Sequence, residues 1–443
     1  MPNSNISIIV RAERTVELEN KKLDLEIVAG HSHHFLLLRA RGIVLFIKNT
    51  SQLLMNREFK MEPLFEPIYE VVCGMDIHKS TISAYILKKG ERKAISSQFG
   101  TTTKDLRSLS AWLKSNACEV VAMESTGVYW KPILNILEEN EEMEIMIVNA
   151  QHVKNVTGRK TDMCDAAWIA KLTMSGLVKS SLILPREKRE LKDLTRYRKR
   201  LIEDTTCVIN QMGKILQSCN IKLSSVTCKL DTKTGMNIIN AIINNETYDP
   251  ETLANMARGT LKNKKEELRD AIDGEVTEIN RLLLKSLYDQ LTFLKKKTEE
   301  IEEIIEKYMK QYEEKVEILK TIPGVGDVSA QSILSEIGGD VSRFAKADNL
   351  CSWAGLCPGN HESGGIRKSG KTTKGNSYLR AMLNECAWSA VKCKESDLSQ
   401  FYYFKKRTIG KKKAIVATAH SMLRSIWYML YNNESYKPYR PPY

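Results

Sequence analysis

The pattern of apolar and polar positions predicts an α/β domain from Val71 onward. The apolar run VVCGMDI breaks into a polar turn and TISAYIL resumes a strand, which is typical of a β-hairpin, and a third strand follows at 93–99. Next come a helical pattern in TKDLRSLSAWLKSN, a strand in EVVAMES, a helix at 128–139 and a strand in EIMIVNA. Because the strands alternate with helices, we expect a mixed sheet covered on both faces.

Helical periods replace this alternation further along the chain. They predict helices over 162–175 and 186–217, whereas 220–262 is polar and mixed and receives no assignment. The second of these helices carries the basic run RYRKR. That run is compatible both with a solvated helix face and with a face that contacts phosphates.

A later segment repeats apolar positions three and four residues apart, as the seam of a coiled coil requires. The positions are Leu284, Leu287, Leu291, Leu294, Thr298, Ile301, Ile305, Tyr308 and Tyr312. One interpretation is self-association, which predicts a homo-oligomer such as a dimer or tetramer. The other is a single antiparallel hairpin packed within the monomer.

Composition narrows the class of partner. The 443 residues contain 67 Lys and Arg against 54 Asp and Glu, a formal charge of +13 that favours a polyanion. No apolar run is long enough to span a membrane, so nucleic acid is preferred over a membrane surface. The ten cysteines form no C-x-x-C pair. We therefore expect reduced thiols and a cytoplasmic, nucleoid-associated bacterial protein.

Four acidic residues have the positions that a metal-dependent nuclease needs. Such enzymes cleave phosphodiesters with carboxylates that hold Mg²⁺ ions about 4 Å apart. Asp76 and Glu124 each stand where a predicted strand ends, and parallel neighbouring strands would bring them together. Asp162 and Asp165 lie three residues apart and so share one side of a helix. Singly, each acid is equally compatible with a turn or a helix cap.

The segments around these acids resemble the DEDD transposases of bacterial insertion sequences, the bridge-RNA-guided recombinases. The motifs that carry the resemblance are GMDIHK, AMESTGVYW and GRKTDMCDAAWIAKL. The resemblance implies an RNase H/RuvC-like fold in which Asp76, Glu124, Asp162 and Asp165 are both catalytic residues and Mg²⁺ ligands. It also implies that DNA and a bridge RNA are partners.

Two glycines in the C-terminal half mark a second candidate for nucleic-acid contact. The segment LKTIPGVGDVSAQSILSEIGG places a Pro-Gly-Val-Gly turn between apolar helices and resembles a helix-hairpin-helix element. There Gly324 and Gly326 would let backbone N–H groups approach a phosphate at the start of the following helix. The alternative is an ordinary tight turn between two helices.

A Gly-rich polar loop, PGNHESGGIRKSGKTTKG, follows and carries two serines and several cations. On its own, a serine in such a loop is an ordinary loop residue. The resembled family has a loop of this form with a serine nucleophile, and matching Ser-Gly-Gly assigns that role to Ser363 in preference to Ser369. The cations that we expect to hold phosphate are Arg367, Lys368, Lys371 and Lys374.

These patterns divide the chain into four parts. We expect an N-terminal extension at 1–66, a RuvC-like DEDD domain at 67–180, a helical and coiled-coil linker at 181–315, and a mostly helical serine transposase domain at 316–443. The predicted function is cleavage and rejoining of DNA strands of a mobile element. Two alternatives stay open, namely a metal nuclease of the Holliday-junction-resolvase type that needs no serine, and an inactive nucleic-acid-binding remnant.

Overall fold

The computed structural model describes four strands within 14–48 by their backbone, and then 68–91, 93–125, 127–140, 142–148, 162–244, 249–359, 361–363 and 366–438. Side chains at 162–164 and 361–369 lie outside this description. The chain divides into two compact units, 1–181 and 182–443. The early strands form two antiparallel hairpins, β1 (Arg14–Leu18) with β2 (Lys21–Leu25), and β3 (Phe35–Ala40) with β4 (Ile43–Lys48).

The first unit contains a five-stranded mixed sheet in the order β7-β6-β5-β8-β9. Its first three strands pair antiparallel, and β5, β8 and β9 run parallel. The strands are β5 (Val71–Ile77), β6 (Thr81–Lys88), β7 (Ile95–Gly100), β8 (Val120–Glu124) and β9 (Glu144–Val148). The helices are α1 (Thr103–Ser115), α2 (Trp130–Leu137) and α3 (Asp162–Met174).

Local sequence explains why these helices form and which faces they bury. Thr102 and Asp105 form a reciprocal capping box at the start of α1, which satisfies backbone N–H groups that would otherwise lack partners. The buried residues of α1 recur at three- and four-residue intervals, at Leu106, Leu109 and Leu113. In α3 the corresponding buried face consists of small and branched residues, namely Ala166, Ile169, Ala170 and Thr173.

The second unit is mostly helical. Its first half holds α4 (Arg186–Ser218), α5 (Leu223–Thr227), α6 (Lys233–Asn244), α7 (Pro250–Ala254), α8 (Lys265–Ile272) and α9 (Glu278–Met309). Its second half holds α10 (Glu313–Lys320), α11 (Asp327–Ile337), α12 (Ala347–Trp353), the strands β10 (His361–Ser363) and β11 (Ile366–Ser369), α13 (Ser377–Lys392), α14 (Asp397–Ile409) and α15 (Lys411–Asn432). Short 3₁₀ segments occupy Gly259–Lys264 and Lys310–Tyr312.

The predicted coiled-coil seam lies in α9 and packs against α4 of the same chain. Leu191 of α4 contributes to one buried cluster with Ile305 and Met309 of α9. At the other end, the side-chain amide of Asn280 donates to Cys219 Sγ at 3.2 Å. The two helices therefore run antiparallel, and the intramolecular hairpin is the arrangement that the seam adopts. Leu284, Leu291 and Leu294 of the seam are buried within the chain, and self-association stays a prediction.

Two of the three arginines in the basic run of α4 have neither of the expected roles, whereas Arg200 is exposed. Arg196 donates twice to the carboxylate of Glu336, at 2.5 and 2.9 Å. Arg198 is buried and donates to the Gln331 side chain at 2.6 Å and to the carbonyl of Val328. Both arginines thus join α4 to α11, and burial lowers the pKa of Arg198. Sequence alone gave no indication of the acceptors, which lie more than 130 residues away.

The expected fold class is confirmed, since a mixed α/β sheet is followed by a mostly helical region. Residues 220–262, which the pattern left unassigned, contribute α5, α6 and α7. Throughout the described ranges, no helix has both the length and the apolar character needed to cross a bilayer. The boundary predicted at 315 stays a prediction.

Candidate functional site

Parallel pairing brings two of the predicted acids to neighbouring strand ends. Met75 of β5 is in register with Met123 of β8, so Asp76 and Glu124 occupy the next position of each strand. Side chains alternate along a strand, and both acids therefore lie on the face that carries Val72 and Val120. Asp76 and Glu124 are both half-buried, and the Asp76 side chain is 13% exposed.

Helix α3 covers this same face of the sheet and runs antiparallel to β5. A side chain at Gly74 would meet the backbone of α3, with Ala166 O at 2.2 Å and Ala170 N at 2.4 Å. The C-terminal end of α3 lies at the start of β5, because the N–H of Ile68 donates to Met174 O at 3.0 Å. The N-terminal end of α3 consequently lies toward the end of β5, where Asp76 stands.

The remaining two acids belong to that N-terminal end of α3. Asp162 is its first residue and precedes the buried Ala166 by one helical turn, and Asp165 precedes the buried Ile169 in the same way. Both positions continue the sheet-facing stripe of α3 beyond its apolar part. The Asp165 side chain is half-buried, and that of Asp162 lies outside the described side chains.

His78 is a contact of the site that the sequence reasoning missed. Its Nε2 lies 3.2 Å from Asp76 Oδ2, while half of its own side chain is exposed. The D-x-H spacing was the available signal, because residues two apart on a strand share a face. A ring nitrogen at this distance can orient the Asp76 carboxylate.

The donor set fits a hard divalent cation, because all four predicted ligands offer carboxylate oxygens. They belong to the ends of the parallel strands β5 and β8 and to the start of α3. Among the side chains that the structure describes, no three acids, histidines or cysteines are close enough to hold a metal. Asp76, Glu124 and Asp165 belong to that described set and do not form such a group, and the Asp162 side chain lies outside it, so the four-carboxylate site stays a prediction.

The two candidate serines occupy opposite ends of the β10–β11 hairpin. Ser363 ends β10 and pairs with Ile366, next to the turn, whereas Ser369 pairs with His361 at the far end of the ladder. Arg367 pairs with Glu362, and a register shift leaves Lys368 as the extra residue of β11. The backbone thus distinguishes Ser363 from Ser369 by position, and the choice of nucleophile stays a prediction.

The two glycines of the helix-hairpin-helix-like turn have different surroundings. Gly324 has a φ of +86°, and a Cβ there would lie 2.5 Å from the backbone N of Ala390 and from the backbone O of Cys386. Its lack of a side chain is therefore explained by packing against α13. Gly326 precedes α11 and has open space around it. Phosphate contact at this turn stays a prediction, most directly for Gly326.

An ion pair lies next to this turn. Lys320 Nζ is 2.8 Å from Asp327 Oδ1 and also 2.8 Å from Glu317 Oε1. These hydrogen bonds raise the pKa of Lys320 and lower that of Asp327. Asp327 opens α11, where its negative charge already interacts with the positive end of the helix. A phosphate approaching Gly326 would have to accommodate that carboxylate.

Of the four loop cations, Lys371 and Lys374 have described side chains and are exposed. The backbone of Lys371 is fixed, since its carbonyl accepts the N–H of Gly359 at 2.7 Å. Arg367 and Lys368 lie outside the described side chains. Cys351 is buried in the apolar core of the C-terminal half.

Family comparisons match two parts of the chain. The model for IS110-type DEDD transposases matches residues 73–221, and the model described as "Transposase IS116/IS110/IS902 family" matches residues 316–403. The first range contains Asp76, Glu124, Asp162 and Asp165, and the second contains Ser363. Over these two ranges the chain is therefore similar to the DEDD and C-terminal domains of IS110/IS116-type transposases.

Individual relatives carry matching descriptions. A "Probable family 20 transposase" of Pseudomonas aeruginosa is 24% identical over 72% of this chain and 86% of its own length. The "Transposase for insertion sequence element IS1111A" of Coxiella burnetii is 25% identical over 66% of this chain and 72% of its own. The "Insertion element IS900 uncharacterized 42 kDa protein" of Mycobacterium paratuberculosis is 38% identical over 28% of this chain and 31% of its own length. The solved structure of Thermus thermophilus RuvC matches at 15% identity with a TM-score of 0.20, covering 25% of this chain and 99% of RuvC.

Proposed function

We propose that this protein is a transposase that cleaves and rejoins DNA strands at a four-carboxylate metal site with the help of a serine nucleophile. The observation that carries the proposal is the packing of α3, antiparallel to β5, on the sheet face on which the neighbouring strand ends place Asp76 and Glu124. Helix α3 holds Asp162 and Asp165. The two family models and the transposase relatives support the same reaction class.

The acids act as ligands in this proposal, and the rest of the first unit positions them. Asp76 and Glu124 would hold Mg²⁺ from the sheet, and Asp162 and Asp165 would hold it from the helix. Bound Mg²⁺ supplies charge neutralisation at the attacked phosphate. Gly74 sets how closely α3 approaches the sheet, and His78 orients Asp76.

The second chemical group is Ser363. Its Oγ forms a bond to phosphorus, the bond between phosphorus and the 3′ oxygen of the DNA breaks, and the serine proton ends on the released 3′ oxygen. A 3′ hydroxyl of another strand then attacks the phosphorus of this phosphoserine, the bond between phosphorus and Ser363 Oγ breaks, and the proton of that hydroxyl returns to Oγ. Loop cations such as Lys371 and Lys374 balance the charge that develops on the phosphate.

A guide RNA completes the proposal as far as the resemblance to bridge-RNA-guided recombinases extends. An RNA partner agrees with the formal charge of +13. Co-purification of the protein with RNA transcribed beside its gene, followed by sequencing, tests this point separately. A target read by the protein alone would leave only heterogeneous cellular RNA in that sample.

The metal site is tested by single substitutions Asp76→Ala, Glu124→Ala, Asp162→Ala and Asp165→Ala. Each is expected to reduce cleavage of plasmids that carry the element ends to background while nucleic-acid binding is retained, because ligation of the metal is lost. Glu91→Ala is the matched control, since this exposed acid lies in the turn after β6. Cleavage by all four variants at the control rate would refute the site.

The nucleophile is tested by trapping the covalent intermediate. Ser363→Ala is expected to bind nucleic acid and give no protein–DNA adduct, whereas Ser369→Ala keeps the adduct. Peptide mapping by mass spectrometry identifies the linked residue. An adduct on Ser369, or complete strand exchange by Ser363→Ala, would exclude Ser363. Cleavage without any adduct would favour the metal nuclease that needs no serine.

A further inference from the structure

The second unit contains an open cleft between the base of the β10–β11 hairpin and α15. Its volume is about 950 Å³, and its walls include Pro358 and Lys371 on the hairpin side and Lys412, His420 and Arg424 on the helix side. Small-molecule sites occupy roughly 300–1,000 Å³, so this cleft has room for an extended ligand.

Positive charge is the first property of the cleft. Five cations line it, and no acid is among its described lining residues: Lys371, Arg380, Lys412, Lys413 and Arg424. Asp348 lies 3.4 Å from one member of this set, Arg424, and that pair is largely exposed. Clustered cations around a concave surface indicate an anionic ligand.

The placement of three lysines at the start of α15 is a second, independent sign. Lys411, Lys412 and Lys413 form the first turn of this helix, which has no acid there. The N-terminal end of a helix is its positive end, so lysines at that position are unfavourable within the protein. Residues that are unfavourable for the stability of their own helix are often retained because they serve a function.

Aromatic side chains extend the cleft and limit the kind of anion. Phe401 lines it, and Lys405 Nζ lies 5.5 Å from the ring centre of Phe401 and 5.6 Å from that of Phe404. Phe404 is 63% exposed and its neighbour Tyr403 is 51% exposed. Exposed rings beside a cationic groove are the usual platform for stacking unpaired bases. Free phosphate has no base that could stack on these rings, and in a duplex the base faces are covered by the neighbouring base pairs.

We propose that this cleft is a binding site for a single nucleic-acid strand, with phosphates held by Lys371, Lys412 and Lys413 and bases stacked on Phe401 and Phe404. The inference rests on the proposed function, because the strand is taken to be the one that reaches Ser363. Ser363 follows Pro358 by five residues, which a chain spans in at most about 18 Å. At about 3.4 Å of rise per nucleotide, the bound strand reaches Ser363 within about five nucleotides.

The test measures binding of fluorescein-labelled oligothymidylate, oligouridylate and a DNA duplex, each about 20 units long, to the full chain without divalent cations. The variant Lys412→Gln/Lys413→Gln is compared with Lys392→Gln/Lys394→Gln, which removes the same charge from exposed positions outside the cleft. Losing two phosphate contacts is expected to lower the salt slope of log K for a single strand by about 1.4. The control is expected to keep the original slope.

A second variant tests the stacking part. Phe404→Ala removes an exposed ring, so the fold is retained, and single-strand affinity is expected to fall about tenfold with the duplex unaffected. A decrease with oligothymidylate assigns a DNA strand, and a decrease confined to oligouridylate assigns an RNA strand. Equal slopes for the two double variants, or losses seen only with the duplex, would overturn the inference.

Failure of this inference can be separated from failure of the proposed function. The binding assay contains no metal and measures no cleavage, so Asp76→Ala and Ser363→Ala are expected to behave like the unmodified chain in it. Normal adduct formation with an unchanged salt slope would remove the cleft and leave the transposase reaction intact.

Discussion

Gly74 determines how closely α3 approaches the sheet. The backbone of α3 lies where the Cβ of any other residue would be, with Ala166 O only 2.2 Å away. Asp162 and Asp165 belong to the same helix, and Asp76 follows Gly74 by two residues. Gly74 therefore influences the distance between the acids of the sheet and those of the helix.

Substituting Gly74 with alanine is expected to separate α3 from β5. Overpacking of this kind costs about 1–3 kcal/mol, and strand cleavage should fall more than nucleic-acid binding. Thermal unfolding followed by circular dichroism, together with the plasmid cleavage assay, measures both effects. Ala122→Gly, at the same register on β8, removes a methyl group and is expected to keep cleavage. Unchanged stability and cleavage in Gly74→Ala would contradict this account.

The sequence predicted Asp76 and Glu124 as neighbours because strand ends and parallel pairing follow from local patterns. It gave no reason for Gly74, since the helix that requires the glycine begins almost ninety positions later, at Asp162. His78 was overlooked for a different reason. Its D-x-H spacing is visible in the sequence, but an exposed histidine after a strand is usually only a turn residue.

Helices α4 and α9 form the antiparallel pair of the second unit, and their contact divides the residues of α9 into two sets. Leu284 and Leu291 are fully buried. Phe293 is 58% exposed, and Leu282 is 69% exposed. The buried set stabilises the monomer, so contacts between chains in an oligomer would have to be made by the exposed set.

Matched substitutions distinguish the two sets. Leu291→Ser is expected to lower the free energy of unfolding by at least about 3 kcal/mol, because it combines a cavity with a buried hydroxyl. Phe293→Ser is expected to change it by less than about 0.5 kcal/mol. Urea unfolding measures stability, and light scattering measures mass. A smaller mass in Phe293→Ser would place self-association on the exposed face; equal stability of the two variants would show that α9 does not pack on α4.

A buried ion pair joins α4 to α11. Glu336 is 4% exposed at its side chain and accepts from Arg196 and, at 2.6 Å, from the side-chain amide of Asn376. Removing the carboxylate leaves a partly buried guanidinium and an amide without their acceptor.

Glu336→Ala is therefore expected to destabilise the protein by about 3 kcal/mol. The matched control is Glu385→Ala, whose carboxylate pairs with Lys199 and is 64% exposed, and whose loss should cost less than about 1 kcal/mol. Both values come from urea unfolding at constant ionic strength. Similar losses in the two variants would argue against a special role for the buried pair.

Long helices were the elements that the sequence predicted best. The expected 186–217 became Arg186–Ser218, because many turns of apolar periodicity are hard to mistake. The stretch 220–262 received no assignment because its helices are short and are stabilised by tertiary packing. Ile238 and Ile242, for example, belong to a buried apolar cluster of the second unit. The spacing of the seam predicted which face of α9 is buried. It could not predict the helix that covers this face, because the spacing is the same for a helix of the same chain and for one of a second chain.

At the scale of the whole molecule, the chain is two units with separate cores. The apolar clusters of the second unit draw their members from residues 182 onward. Those of the first unit include Val72, Val120 and Ile169. A unit whose apolar core consists of its own residues can fold without the other unit.

The fragment 182–443 is accordingly expected to fold alone and to unfold in a cooperative thermal transition. Differential scanning calorimetry of the fragment and of the full chain checks this, with the full chain retaining the fragment's transition. Gly324→Val in the fragment serves as a destabilised reference, because a side chain there would collide with α13. Absence of a cooperative transition in the unmodified fragment would mean that its core depends on the first unit.

Residues 186–309, from the start of α4 to the end of α9, form a helical arm. Because α4 and α9 run antiparallel, this arm begins and ends at nearly the same place, where Leu191 packs with Ile305 and Met309. The two family models match 73–221 and 316–403, so most of the returning half of the arm lies between them. Adding or removing equal numbers of turns in both helices would change how far the arm reaches and leave the spacing at its root unaltered. The length of this helical pair can therefore change while the two matched ranges keep their spacing at its root.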